Sequence, residues 1–347
     1  MLLALVLAAA LPGLGQATNH SEPGLPEHTG GFFAAFAPSY DYSAFKPWHL
    51  KATYQLYDDA GKPTEQGTYE FWRVSPQVHR SSWTRKSATY TDWHTADGKV
   101  AHQATGEALN FFEYKLEAAL LTPLTIAGKL DPAKFRMDDN AVTQAGSLVA
   151  CFKTVPVAPK QDPVQTSSWG LFPTYCFNTQ KQLLLGVYSF GTQVVKFSDF
   201  TQIQDKNLAR LVSFREGTRN ILTAKVDATD ELSPSDAALV PPPGSRPEKI
   251  DKVPIGADMA ENLLVKKVTP VYPQDAKDAH IQGKVVLQAI IGIGGKVRDL
   301  QLLSAPRASM ASSAFWAVSQ WEYRPYRLNG KPVEVETTVT VMYSLGQ

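Results

Sequence analysis

The sequence predicts an α+β protein in two folded parts: an antiparallel β-rich N-terminal domain with one or two helices, and a C-terminal β-β-α-β unit. Three observations predict it. Apolar residues alternate with period two through most of residues 46–228. One stretch, Leu109, Phe112, Leu116 and Leu120, switches to the three- and four-residue spacing of a helix. A segment holding Pro234, Pro241 to Pro243 and Pro247 then separates that region from the last hundred or so residues. The 347 residues fit a prior of about two domains, and 44% apolar content supports packed cores. With 34 Lys+Arg against 33 Asp+Glu, no field is built for nucleic acid or steers toward acidic membranes.

The N-terminal residues read as an address. Leu2 to Leu11 is apolar and Pro12 interrupts it, a span of about 15 Å as a helix, half a bilayer core. Gly15 and Ala17 place small residues at the −3 and −1 positions of a cleavage site. Residues 1–17 are therefore expected to be a signal peptide that exports the chain to the periplasm. No Lys or Arg precedes the apolar run, so an inner-membrane anchor with a start further upstream is the alternative. Residues 18–45 are expected to be a loose lead-in.

From Trp48 a meander is expected. Ala52, Tyr54 and Leu56 alternate, Asp58 to Lys62 turns, and strands follow at Thr68–Val74, Val78–Trp83 and Thr89–Trp93. Pro123 closes the helix. Strands return at Leu148–Val155, Tyr175–Phe177, Leu183–Phe190, Val194–Phe200, Leu211–Phe214 and Ile221–Val226. Domain limits are placed at 46–230, with the proline-rich linker at 231–250 and the last domain at 251–347. Extended, that linker reaches roughly 60 Å.

Cys151 and Cys176 are the two cysteines. In an exported chain an even pair reads as a disulfide, here closing a loop whose chain entropy stabilises by about 3 kcal/mol.

In the last domain, Pro270, Tyr272 and Pro273 make an extended entry. Val285, Leu287, Ala289 and Ile291 line one face of a strand, Gly292 to Gly295 turn, and Val297–Leu303 returns. Met310, Ala314, Val318 and Trp321 make a helical stripe. The closing strand alternates from Val333 to Tyr343, with Val335, Thr337, Val339 and Val341 on one face and Glu336, Thr338 and Thr340 on the other.

These residues resemble a known family. Pro270-Val271-Tyr272-Pro273, Gly283-Lys284-Val285, Gly295-Lys296-Val297, Ala314 with Ala317-Val318 and Trp321, Tyr323-Arg324-Pro325, and Asn329-Gly330 with Pro332-Val333 are similar to the TonB C-terminal domain. The resemblance implies a periplasmic module whose last strand stays open at a sheet edge. There it would accept the extended TonB box of an outer-membrane TonB-dependent transporter as an added strand, in the service of transmembrane transport. By position the backbone edge is Val335, Glu336, Thr337, Thr338, Val339, Thr340 and Val341, and Pro270, Tyr272 and Pro273 line its approach. The alternatives are that the strand only completes the sheet or pairs in a homodimer. A membrane-anchored energy transducer would need an anchor and a longer spacer than residues 231–250 supply.

Residues 46–228 resemble, more diffusely, the LolA/LolB-type lipoprotein-sorting fold, through Glu70-Phe71-Trp72-Arg73-Val74, the Asp97-Gly98 hairpin, and Val195–Phe200 with Ile203. That resemblance implies a half-barrel closed by helices, with an apolar interior for a lipid or lipoprotein. Phe71, Trp72, Trp83, Trp93, Phe111 and Phe112 are the side chains available to line it, or simply to fill a core. A periplasmic carrier is thus the alternative function.

No catalytic constellation emerges, and an enzyme is not expected. His79, His94 and His102 lie in successive strands, but no metal-ligand spacing accompanies them, and neither metal nor cofactor is expected. Gly292 to Lys296 lacks phosphate-loop spacing and is a hairpin turn. Asp58-Asp59 and Asp138-Asp139 read as turn or solvated residues.

Overall fold

The structure is a computed structural model that describes residues 35–124, 135–144, 147–156, 173–190 and 192–345. The expected signal peptide lies outside the described residues.

One large antiparallel sheet takes the N-terminal region. Its strands are β1 (Trp48–Tyr57), β2 (Pro63–Arg73), β3 (His79–Arg85), β4 (Ala88–His94) and β5 (Val100–Gly106), then, after helix α1 (Phe111–Leu121), β6 (Phe135–Gln144), β7 (Ser147–Pro156), β8 (Thr174–Asn178), β9 (Leu183–Ser189), β10 (Gln193–Ile203), β11 (Lys206–Glu216) and β12 (Arg219–Glu231). The 12 strands run in the order β5-β4-β3-β2-β1-β12-β11-β10-β9-β8-β7-β6. First and last strands meet at the centre, and hairpins step outward to two edges, β5 and β6, that do not pair with each other. The result is the unclosed barrel expected. Strand β5 escaped the sequence reading because only Ala101 in it is buried. Strand β6 escaped as well, and Asp138 and Asp139 lie inside it, opposite Lys153 and Phe152.

Period two sends Leu50, Ala52, Tyr54, Tyr69, Phe71 and Trp83 to the concave face, where Leu116 and Leu120 of α1 cover them. Residues 36–45 are no loose lead-in. Phe36, Tyr40, Tyr42 and Phe45 are buried in the same core. Hydrogen bonds tie them down too: the Tyr42 side chain donates from Oη to Asn207 O at 2.6 Å, and Arg73 donates to the main-chain carbonyls of Tyr42 and Ser43 at 2.8 Å each. A concave sheet needs apolar filler, and this aromatic segment supplies it. Cys151 and Cys176 stand directly opposite each other on β7 and β8 and are joined as a disulfide.

The proline-rich segment was expected as an extended spacer, yet it is fastened along the sheet. Leu232 N donates to Pro47 O at 3.1 Å. A 3-10 turn, Ala237–Leu239, lies over the convex face, where the Ala238 carbonyl accepts from Trp93 Nε1 at 3.0 Å and Arg80 Nη1 at 3.3 Å. Glu248 then exchanges two main-chain hydrogen bonds, 2.9 and 3.0 Å, with Val100 on the edge strand β5.

The C-terminal region comprises β13 (Lys252–Pro254), α2 (Ala257–Leu263), β14 (Leu264–Lys266), α3 (Gln274–Asp278), β15 (Gly283–Ile291), β16 (Val297–Ser304), α4 (Ala308–Val318), β17 (Glu322–Tyr323), β18 (Arg327–Leu328), β19 (Lys331–Pro332) and β20 (Glu334–Tyr343). Four strands form its sheet, in the order β13-β20-β15-β16, while β14 pairs with β17 and β18 with β19. Met310, Ala311, Ala314 and Val318 of α4 pack on the inner face against Val285, Leu287 and Ala289. Trp321 Nε1 donates to Val268 O at 2.8 Å.

Helix α1 is shared by both regions. Its Phe111 meets Phe315 edge-on at 5.3 Å, and Phe112 lies 5.5 Å from Trp316. Lys115 pairs with Asp299, and Arg219 lies 4.5 Å over Trp316.

Candidate peptide-binding edge

The geometry of β20 follows from its alternation. Val335, Thr337, Val339, Val341 and Tyr343 are buried on the inner face, whereas Thr338, Thr340 and Met342 are exposed on the other. Antiparallel pairing with β15 runs from Gly283↔Tyr343 to Ile291↔Val335 and occupies one flank. Two hydrogen bonds show which residues face the opposite flank. Glu334 N donates to Asp251 O at 2.9 Å, and Ile255 N donates to Glu336 O at 2.9 Å. Along a strand, the N–H and C=O of every second residue point the same way. Thr338, Thr340 and Met342 therefore turn their main-chain groups to that flank too. Among the described residues, no strand pairs there beyond β13.

The edge is thus shorter than expected. Lys252↔Glu334, Val253↔Val335 and Pro254↔Glu336 are paired in parallel, so the chain itself covers the flank beside Val335 and Glu336. The physical reason is the extended segment ending at Pro254, which delivers Asp251 O and Ile255 N to the β20 backbone. Thr337 Oγ1 also donates to Ile255 O, at 3.1 Å. Thr338, Val339, Thr340 and Val341 continue past β13.

Charge is concentrated on the covered half. Lys252 Nζ lies 2.6 Å from Glu336 Oε2, and hydrogen bonding to Glu336 raises the lysine pKa. Arg298 pairs with Glu334, and Gln288 donates to Glu336. From Thr338 to Met342 the strand has no charged side chain. The approach residues buttress the downstream end of β20. The Tyr272 ring lies 5.3 Å from that of Tyr343, its hydroxyl donates to Ile281 O at 2.7 Å, and Pro273 precedes α3. The carbonyl of Val271, next to Pro270, accepts from Ser313 of α4.

The proposed cavity lining divides. Phe71 and Trp83 face inward, within the filled core. Trp72 and Trp93 do not, because residues adjacent along a strand face opposite sides. Both are on the convex face with Arg80 between them, 4.2 Å over Trp72 and 5.1 Å from Trp93. Phe111 belongs to the C-terminal core, and Phe112 bridges Phe214 and Trp316. The histidines do gather at one end of the concave face. His79 and His94 stack at 4.0 Å, and His102 Nδ1 is 2.6 Å from Asp92 Oδ1. Among the described residues, no group of three or more His, Cys, Asp or Glu is arranged to hold a metal ion. Sequence reasoning missed β13, for which Lys252-Val253-Pro254 is too short to show a period.

Residues 268–345 match the family model of the Gram-negative bacterial TonB protein C-terminal. This segment is similar to the TonB C-terminal domain. The TonB protein of Vibrio cholerae serotype O1 is 30% identical over 84 residues, covering 24% of this chain. That match takes in 34% of the relative, so the chain spans about a third of its length. The solution structure of the Pseudomonas aeruginosa TonB C-terminal domain is 24% identical with a TM-score of 0.22, over 24% of this chain and 86% of that one. Over 60% of this chain, a LolA superfamily protein from Nitrosomonas europaea, covered to 97%, is similar at 6% identity and a TM-score of 0.34. No helix of the described residues is long and apolar enough to cross a membrane.

Proposed function

We propose that this chain is an exported, periplasmic, non-enzymatic binding protein serving transmembrane transport. Its TonB domain captures an extended peptide of an outer-membrane transporter by strand addition along Thr338–Met342. One observation carries the reading: the flank of β20 beyond β13, where three successive outward-facing residues have no neighbouring strand and helix α2 is the element beside them. An exposed edge of this kind is a template for pairing. Its neutral Thr and Met side chains add no electrostatic barrier. The lipid-carrier alternative has less support, since an acyl chain would have to displace Phe36, Tyr40, Tyr42 and Phe45 from the concave face.

The test is titration of the full chain with synthetic peptides from the periplasm-facing N-terminal segments of outer-membrane transporters. Thr340→Pro removes one outward donor and leaves the β15 ladder whole, because Thr340 points its N–H away from β15. Affinity is expected to fall about tenfold or more, while Thr340→Val, which keeps the N–H, binds like the parent. Undiminished binding by a Thr340→Pro protein of native circular dichroism would refute the edge as the docking site.

A further inference from the structure

We propose that β13 is a displaceable resident strand: the chain's own residues 251–255 occupy the upstream half of the docking edge and are exchanged for the visiting peptide. This inference rests on the strand-addition reading above and concerns its regulation.

Five residues of β20 turn their main-chain groups to the outer flank: Glu334, Glu336, Thr338, Thr340 and Met342. The hydrogen bonds from Glu334 N to Asp251 O and from Ile255 N to Glu336 O engage the first two. Those groups cannot serve β13 and a visitor at once. A peptide confined to Thr338–Met342 needs about five residues, whereas one reaching Glu334 needs about nine and must evict β13.

The resident strand is built to leave. It is three residues long and parallel, the weaker pairing per residue. Lys252 and Pro254 are exposed, and no wide apolar face anchors them. Besides its main-chain bonds and the bond from Thr337 Oγ1 to Ile255 O, what holds the segment is the Lys252–Glu336 ion pair and the packing of Ile255 at the margin of the C-terminal core. Only a few residues upstream, Glu248 is bonded to Val100 on β5. Eviction of β13 therefore pulls on a tether fixed to the large sheet, so occupancy of the edge is felt at the N-terminal domain.

A resident strand lowers apparent affinity by the fraction of time the site is free. The experiment titrates the full chain, as parent, Val253→Pro and Lys252→Glu, with a transporter peptide of about nine residues and its five-residue truncation. The first variant removes a β13 donor, and the second reverses the ion pair without touching the backbone. Both are expected to bind the long peptide about tenfold more tightly than the parent and the short one equally. Hydrogen exchange at the Ile255 and Glu248 amides should quicken with the long peptide and not with the short. If the short peptide binds while the long one gains nothing from either variant, or loses affinity, the resident-strand proposal is overturned and the docking edge stands. If neither peptide binds any of the three proteins, the docking edge fails and takes this proposal with it.

Discussion

Replacing Glu113 with alanine is expected to destabilise the protein by about 3–5 kcal/mol, the cost of breaking a buried ion pair from one side. Glu113 is fully buried, at 0% exposure, yet both its carboxylate oxygens have polar partners. Its Oε1 accepts from Tyr54 Oη at 2.7 Å and from Arg85 Nε at 3.1 Å. Its Oε2 accepts from Asn110 N at 2.8 Å, while Asn110 Oδ1 accepts from Phe112 N and Glu113 N. One carboxylate thus closes the capping box of α1, satisfies a buried phenol and neutralises Arg85, whose side chain is 5% exposed. Glu65, 2.9 Å from Arg85 on the other side, retains part of the pairing in the variant. Burial together with the Glu113 charge pushes the Tyr54 phenol far up, so it stays a donor at any working pH. Glu113→Gln keeps the shape and one of the two acceptor oxygens and should cost less than alanine. Urea denaturation followed by tryptophan fluorescence measures both. A loss under about 1 kcal/mol for Glu113→Ala would show that α1 is held without this network. Because Phe111, Tyr114 and Lys115 of α1 touch the C-terminal domain, loosening the helix should also loosen the joint between domains.

How far the fold was legible follows from what each residue contributes to a periodic signal. Strands with a buried face were visible, because Leu50, Ala52 and Tyr54, or Val335 to Tyr343, alternate whatever their partners are. Strand β5 was not visible: it is an edge strand with five consecutive exposed residues from His102 to Gly106. Trp72 and Trp93 were misplaced for a different reason. An aromatic residue signals burial, but not which face buries it, and here a linker turn covers the convex side. The edge of β20 was half legible. Alternation fixed the two faces of β20, but flank occupancy depends on a partner strand about eighty residues away, and a three-residue strand ending in proline carries no period of its own. Nor was the burial of Phe36 to Phe45 legible, since filling a concave sheet depends on the shape of the sheet and not on local sequence.

Acid should unfold this protein earlier than its carboxylates alone would dictate, and His79 is the reason. The His79 and His94 rings stack at 4.0 Å on the concave face, with Phe71 5.6 Å from His79. Burial first, and then the neighbouring His94, hold the His79 pKa down from 6.5 to about 4. His94 is lowered as well, by burial and by Arg298 from the other domain, against the opposing pull of Asp92. The folded state thus keeps an imidazole neutral that the unfolded chain protonates. Stability from this source is whole above pH 6.5 and is lost as pH falls toward 4, a total of about 3 kcal/mol for His79. Other groups act elsewhere or in reverse. Asp97, held down from 3.8 to about 2 by its bonds to Lys99 and Thr95, loses its contribution only below that window. Glu117, pushed up by burial, binds its proton more readily when folded and so favours the native state as pH drops. A single curve therefore mixes signs, and a difference isolates the histidine. Urea midpoints of the parent and of His79→Phe, whose ring preserves the stack without a titrating nitrogen, should lie closest at pH 6.5 and above and separate toward pH 4, where the variant gains on the parent. Parallel curves across that interval would remove His79 as the source of the acid sensitivity.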